Sequence, residues 1–421
     1  MNLGVFLRSE VKPALGCTEP GSVALAAATA ARQLRRKVKR IHMRTSGSIF
    51  KNGLNVGVPG TRGGRGNLLA AALGALAGDP DKGLQSLEGI TDEDVSEAKR
   101  MVDEGLVTQE VTGDPGVYVE VQLYTDDERA STVISGRHDN VFKVTRDDET
   151  IFNGESGERG GGEKPLYLEG LTAHDMAGLW GLSEEIDAEL QRYLLDGSEM
   201  NMGVADEGLR EPWGLGVGFH LNAMAPSDDL LYKVKAYAAA AADVRMGGGP
   251  WPIMSSSGSG NHGITAVVPP SVVSSSWGRS SRELAEALAL SHLVTRYIKA
   301  YTGILSPVCG CAIAAGAGAA AAIVKLGGGS PGQADSAVAS LIASVMGMTC
   351  DGGKGSCALK VSTAAGEAYI AAMLAMRGAG INESQGVLKP DLRSVAQVLG
   401  EVSEKGMPKM DEVILGILQR R

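Results

Sequence analysis

Five cysteines carry the most specific chemistry in this 421-residue chain. Cys17 sits in KPALGCTEPG, Cys309 and Cys311 in SPVCGCAIAAG, and Cys350 and Cys357 in GMTCDGGKGSCALK. All five have Gly, Pro or Asp close by, and none lies in a plain apolar run. A free cysteine is often just a small buried residue. That explains any one of them, but it explains the set poorly. Cys311 and Cys357 are each placed to open a helix. There the dipole and the free N–H groups favour a thiolate, which suits a metal ligand or a reactive base. Cys-Gly-Cys is too tight for a zinc knuckle, and Cys350 and Cys357 are too far apart for one. Thiolate-only ligation favours iron–sulfur or Cu(I) over Ca or Mg, although the usual ferredoxin spacings are absent. Three usable thiolates on separated segments suggest a cluster with one iron left open.

Other segments offer polar loops. Ser255–Gly263 (SSSGSGNHG) contains G-x-G-x-x-G at Gly258, Gly260 and Gly263. A dinucleotide site needs a strand before it and a helix after it. Pro252 precedes this loop and Pro269-Pro270 follows soon after, so the dinucleotide reading is rejected. The loop remains a candidate nest for a carboxylate. Thr45–Ser48 and Val56–Asn67, the latter with two arginines, are similar candidates for a small anion. Of six histidines only His262 falls in a candidate site loop. G-x-S-x-G, H-E-x-x-H and Walker A motifs are absent.

The elements that must position these residues follow from pattern. Val117, Val119, Val121 and Leu123 alternate with polar partners, which predicts a half-buried strand, and 131–135, 141–145 and 149–153 read as its partners in an antiparallel sheet. Leu25–Arg36 reads as a helix and Lys39–Phe50 as a strand, with Lys51-Asn52-Gly53 turning a hairpin into Leu54–Val58. Thr91 with Asp94, and Ser280 with Glu283, look like capping boxes. Helices are expected to about Tyr301 and over 312–325, 333–346, 361–377 and 391–420. Gly154–Lys164 reads as a loop or linker. The expected fold is α+β: residues 1–165 form an α+β domain with the CTEP motif and an antiparallel sheet, and 166–421 form a mostly helical cluster-binding catalytic domain.

Composition limits the partners. Lys and Arg number 40 against 49 Asp and Glu, a net charge of −9, which argues against nucleic acid and anionic membranes. Aromatics are 4% and glycines number 58, so the core must be aliphatic with closely packed backbones. The N-terminus lacks a signal-peptide layout. The most apolar stretch, Ala312–Leu326, is about 15 residues, short of a bilayer span. An odd number of cysteines does not look like a secreted disulfide framework. The expectation is a soluble cytoplasmic protein acting on a small molecule; a homo-oligomer is compatible with it.

Four motifs in order, EVKPALGCTEPG, SGSGNHGI, SPVCGCAIAAGAGA and GMTCDGGKGSCALK, resemble the L-cysteine desulfidase family, also described as serine-dehydratase-alpha-chain-like. The C-terminal part is also similar to the catalytic domain of iron–sulfur L-serine dehydratases. The resemblance implies a lyase with an oxygen-sensitive [4Fe-4S] cluster used as a Lewis acid, held by three cysteines, with the fourth iron open to substrate. It implies Cys350 and Cys357 as ligands, with Cys309 or Cys311 as the third; the Gly-Cys helix start favours Cys311. Cys17 is expected to be the base for the α-proton, a task that a thiolate with a pKa near 7 would suit, with Thr18 and Glu19 lining the site; its alternative role is that of a ligand. Ser259, Asn261 and His262 are expected at the substrate carboxylate, with Ser48 and Asn52 as further candidates. The expected reaction is elimination of sulfide from L-cysteine to give pyruvate and ammonia. The alternatives are L-serine dehydration on the same cluster, a pyridoxal-phosphate lyase with Gly327-Gly328-Gly329 cupping the phosphate, and a non-catalytic cluster- or zinc-binding protein.

Overall fold

The computed structural model describes residues 1–114, 116–154, 166–226, 228–303 and 306–420. The expected linker lies outside the described residues except for Gly154, and so does residue 165, where the expected domain boundary falls.

The strands are β1 (Pro13–Leu15), β2 (Arg40–Ser46), β3 (Val107–Thr112), β4 (Tyr118–Tyr124), β5 (Arg129–Ser135), β6 (Val141–Arg146), β7 (Glu149–Asn153) and β8 (Pro252–Met254). β2 to β7 form one six-stranded sheet in the order β3-β2-β4-β5-β6-β7. Alternation in β4 is as expected: Val119, Val121 and Leu123 are buried and their neighbours half-buried. The sheet is mixed rather than purely antiparallel, because β3 runs parallel to β2. A parallel return needs a crossover, and the helix Asp92–Asp103, opened by the Thr91–Asp94 capping box, lies within it. Helices Thr18–Ala31 and Asn67–Ala77 share an aliphatic core with the sheet.

The hairpin expected at Lys51-Asn52-Gly53 does not form. β2 ends at Ser46 and the chain enters the helix Gly47–Gly53. Neither Asn52 nor Gly53 has the positive φ that a tight hairpin turn uses. Glycine is needed at 53 for another reason: a Cβ there would stand 1.9 Å from Asn67 Oδ1. The helix puts Ser48, Lys51 and Asn52 on neighbouring positions of one face.

The second core is helical. At its centre lies Gly310–Leu326, buried from Ala312 to Val324 and packed by helices Gly260–Ser276, Ser281–Thr302, Pro331–Val345 and Cys357–Met376. Its Ala and Gly content lets these neighbours approach closely. Among the described residues no helix is long and apolar enough to cross a membrane. The loop expected up to Gly263 ends earlier than foreseen: a helix starts at Gly260 and continues through Pro269 and Pro270. Pro270 cannot donate to the carbonyl of Ala266, but the Ser291 hydroxyl does so at 2.7 Å. The strand before this loop, β8, pairs with β1 alone, antiparallel, so no βαβ unit results. The expected 391–420 helix is two, Leu392–Glu401 and Pro408–Gln419, joined through a π-turn at Val402–Gly406.

Two connections bring the halves of the chain together. The N-terminal helix Leu3–Glu10 buries Leu3, Phe6 and Leu7 in the helical core, and the β1–β8 pairing follows it. The C-terminal helix Pro408–Gln419 returns to Gly47–Gly53 through the Lys51–Asp411 ion pair. The segment around Cys17 is thereby held against the helical body.

Candidate active site

One cavity is lined by residues from nine separate segments. Cys17, Glu19, Ser48, Asn52, Ser259, Asn261, His262, Cys311, Cys350 and Cys357 all face it. Cys309 is the one expected site residue that does not line it, although its Sγ lies 3.7 Å from that of Cys311.

The sulfurs are brought in by short devices. Cys17 is the N-cap of Thr18–Ala31. Cys309 caps Gly310–Leu326, which leaves Cys311 as its second residue, and Cys357 is the first residue of Cys357–Met376. The two C-terminal motifs are tied together by Cys309 N–H donating to Met348 O at 2.9 Å and Cys350 N–H to Pro307 O at 2.6 Å. The glycine of Cys-Gly-Cys is required by a close approach: a Cβ on Gly310 would stand 2.4 Å from His262 Nε2. Cys17 joins them from the other side, its Sγ 3.6 Å from where a Cβ of Gly353 would lie. Among the described residues no three His, Cys, Asp or Glu side chains converge to grip a single metal ion. The thiols are spread around the cavity instead.

Electrostatics separates their roles. Burial pushes the Cys17 thiol up to about 12; Arg245 pulls it down, while Glu19 and Cys357 raise it further. The thiolate poised near 7 is therefore not what these surroundings provide: low dielectric outweighs one guanidinium, and the thiol keeps its proton. Cys309 and Cys311 share a proton. Cys309 is the more acidic, helped first by the Cys311 thiol and then by the Ala312 N–H, and its charge raises Cys311. Burial also raises Cys350 and Cys357. His262 is pushed down to about 3, by burial first and then by Lys299, so it is a neutral ring at pH 7. Burial brings Lys299 down to about 8, against the nearby cysteines Cys350, Cys311 and Cys309. Glu19 accepts from Asn52 Nδ2 at 3.0 Å and from Thr18 Oγ1 at 3.2 Å.

Five titratable groups in the cavity were not foreseen: Arg245, Lys299, Lys51, His138 and Asp411. Arg245 and Lys299 had a legible signal, a cation inside an otherwise apolar helical run (AYAAAAADVRM, LVTRYIKAY). His138 lies in the turn between β5 and β6 and had none. The arginine-bearing segment Val56–Asn67 contributes no lining residue, and Arg62 pairs instead with Asp92 at 3.1 Å. The glycines at 327–329 cannot cup a phosphate here, because they lie at the far end of Gly310–Leu326, about 25 Å from Cys311 at 1.5 Å per residue.

The chain matches the serine dehydratase alpha chain family over residues 81–418. It belongs to that family. Relatives span its whole length. A UPF0597 protein of Nitratidesulfovibrio vulgaris (Miyazaki F) is 50% identical, with 100% of this chain and 99% of the relative covered. UPF0597 proteins of Desulforapulum autotrophicum and Clostridioides difficile are each 39% identical, covering 98% of this chain and 96% and 98% of their own. The family indicates an amino-acid dehydratase or related lyase, in agreement with a cavity that gathers thiols, cations and a Ser/Gly/Asn turn.

Proposed function

We propose that this protein is an iron–sulfur-dependent lyase that eliminates sulfide from L-cysteine, giving pyruvate and ammonia. The observation that carries the reading is the gathering of four cysteine side chains, from stretches of chain far apart in sequence, around one cavity that also holds buried cations. Thiols spread around a cavity suit a cluster, whose irons each take one thiolate, better than a single ion. Cys311, Cys350 and Cys357 would hold a [4Fe-4S] cluster, with Lys299 beside them to offset the charge of the thiolates. When bound, the cluster supplies Lewis acidity to the leaving sulfur.

The remaining steps belong to the protein. Ser259, Asn261 and His262, in the first turn of Gly260–Ser276 and its cap, would receive the substrate carboxylate and steady the charge that develops when the α-proton leaves. Neutral His262 contributes a hydrogen bond, not a charge. Cys17 is assigned as the group that takes the α-proton from Cα. Its own thiol proton must leave first, and the carboxylate of Glu19 beside it is the acceptor at hand. Loss of the α-proton and of the β-sulfur leaves aminoacrylate, which water converts to pyruvate and ammonia. L-serine, with hydroxide as the leaving group, fits the same groups, and the family description favours keeping it as the second substrate.

Anaerobic reconstitution with iron and sulfide, followed by pyruvate and sulfide assays on both amino acids, tests the proposal. A loaded protein that turns over neither overturns it. The ligand assignment expects Cys311→Ala, Cys350→Ala and Cys357→Ala to lose iron and Cys309→Ala to retain it.

A further inference from the structure

Arg245 ends the apolar helix Leu230–Met246 and is 4% exposed. A guanidinium does not give up its proton in a protein, so a full charge is carried into the interior. Three other cations with little-exposed side chains are each paired with a carboxylate: Arg296 with Glu10 and Lys325 with Glu184, each at 2.9 Å, and Lys51 with Asp411. Among the described residues Arg245 has no carboxylate oxygen within the 4.0 Å of an ion pair. Its Nη1 donates to Asn261 Oδ1 at 3.0 Å, one Nη2 contact reaches Cys17 Sγ at 3.6 Å, and Nε has no partner. Asn261 offers a dipole and Cys17 a thiol; neither balances the charge. A buried charge without a counter-ion is costly, and the cost falls when an anion arrives.

The surroundings fix where that anion would sit. Arg245 lines the cavity between Cys17 and Asn261. A Cβ on Gly260 would stand 2.2 Å from Arg245 Nε and 2.8 Å from Cζ, so the Ser-Gly-Asn turn lies directly against the guanidinium. Gly260 opens the helix Gly260–Ser276, and its N-cap, Ser259, makes no side-chain capping bond. The first-turn N–H groups and a guanidinium thus meet at one edge of the cavity, a combination suited to a planar carboxylate. Lys299 stands near Cys350, Cys311 and Cys309.

We propose that Arg245 anchors the α-carboxylate of the ligand against the first turn of Gly260–Ser276 and restricts the cavity to small molecules that carry this anion. The inference builds on the lyase reading, since it takes the same cavity as the substrate site. It makes Arg245 the charged partner in a carboxylate subsite whose other members are neutral.

The test needs no iron. Calorimetric binding of L-serine and L-cysteine is compared with that of L-serinamide and L-cysteinamide, which differ only at the carboxyl group. In the wild-type protein the amides are expected to bind roughly 10- to 100-fold more weakly, the loss of a charge-assisted pair. Arg245→Gln is expected to bind acid and amide alike. Arg245→Lys, which keeps the charge without the planar fork, should fall between. Equal binding of acid and amide to the wild type overturns the proposal, as does absence of binding by either acid. Discrimination that survives Arg245→Gln also overturns it. If that variant does not fold, the wild-type comparison and Arg245→Lys still decide. A loaded protein that binds L-serine through Arg245 yet releases no pyruvate removes the lyase reading and leaves the anchor standing.

Discussion

Replacing Asp411 by asparagine should destabilise the protein more than replacing its partner, Lys51, by methionine. Lys51 is 5% exposed, whereas the Asp411 side chain is 27% exposed. Without Asp411 a buried ammonium loses its counter-charge. Breaking a fully buried pair costs about 3–5 kcal/mol; water reaching Asp411 screens this one, and about 2 kcal/mol is expected for Asp411→Asn. Lys51→Met leaves a carboxylate that water can reach and fills the buried slot with an apolar chain of similar length, so its cost should stay within about 1 kcal/mol. The effect should be local. Pro408–Gln419 has no buried residue, and its docking onto Gly47–Gly53 rests on this pair and on Leu415, which lies over Gly47. A loss of about 2 kcal/mol corresponds to roughly 30-fold more opening of that helix. Urea unfolding gives the first comparison, and hydrogen exchange over 408–419 gives the second. Lys51→Met destabilising as much as Asp411→Asn, or exchange unchanged in Asp411→Asn, would refute the reasoning.

Three further outcomes follow from the geometry. Gly310→Ala places a methyl 2.4 Å from His262 Nε2; the melting temperature should fall by an amount matching about 1–3 kcal/mol of overpacking, with poorer iron retention after reconstitution. Cys17→Ser should keep iron and lose turnover, whereas loss of iron would make Cys17 a ligand. His292 is buried and held down to about 4. Between that value and its ordinary 6.5 the unfolded chain binds a proton that the native state does not, so the contribution of this one group makes stability fall as pH drops, by about 1.4 kcal/mol per unit below 6.5. Urea unfolding at pH 7.5 and pH 5 checks this, and His292→Gln should flatten the dependence; an unchanged slope would contradict it.

Local signals in the sequence were reliable where the physics is local. The β4 alternation, the Thr91–Asp94 and Ser280–Glu283 capping boxes and the helix starts at the cysteines are decided within a few residues, and all form. Lys51-Asn52-Gly53 misled because an Asn-Gly pair has two uses, a turn or a close approach, and only the neighbouring Asn67 selects the second. Pro269-Pro270 misled because a proline breaks a helix unless a neighbour answers the freed carbonyl, and Ser291 does so from another helix. The parallel β2–β3 pair was equally out of reach, since strand direction depends on the crossover.

Ten of the eleven expected site residues line the cavity; cysteines, glycines and hydroxyls in short polar motifs are conspicuous against an Ala-rich background. Sequence could not supply the state of those groups. Whether Cys17 holds its proton depends on the balance between burial and Arg245, 228 positions away along the chain. Which of Cys309 and Cys311 faces the cavity depends on how the first turn of Gly310–Leu326 meets the 348–350 segment. Chemistry-bearing residue types are written in the chain; the dielectric, the counter-charges and the facing directions exist only once distant segments have packed, because electrostatic energy depends on distances that the order of residues does not contain.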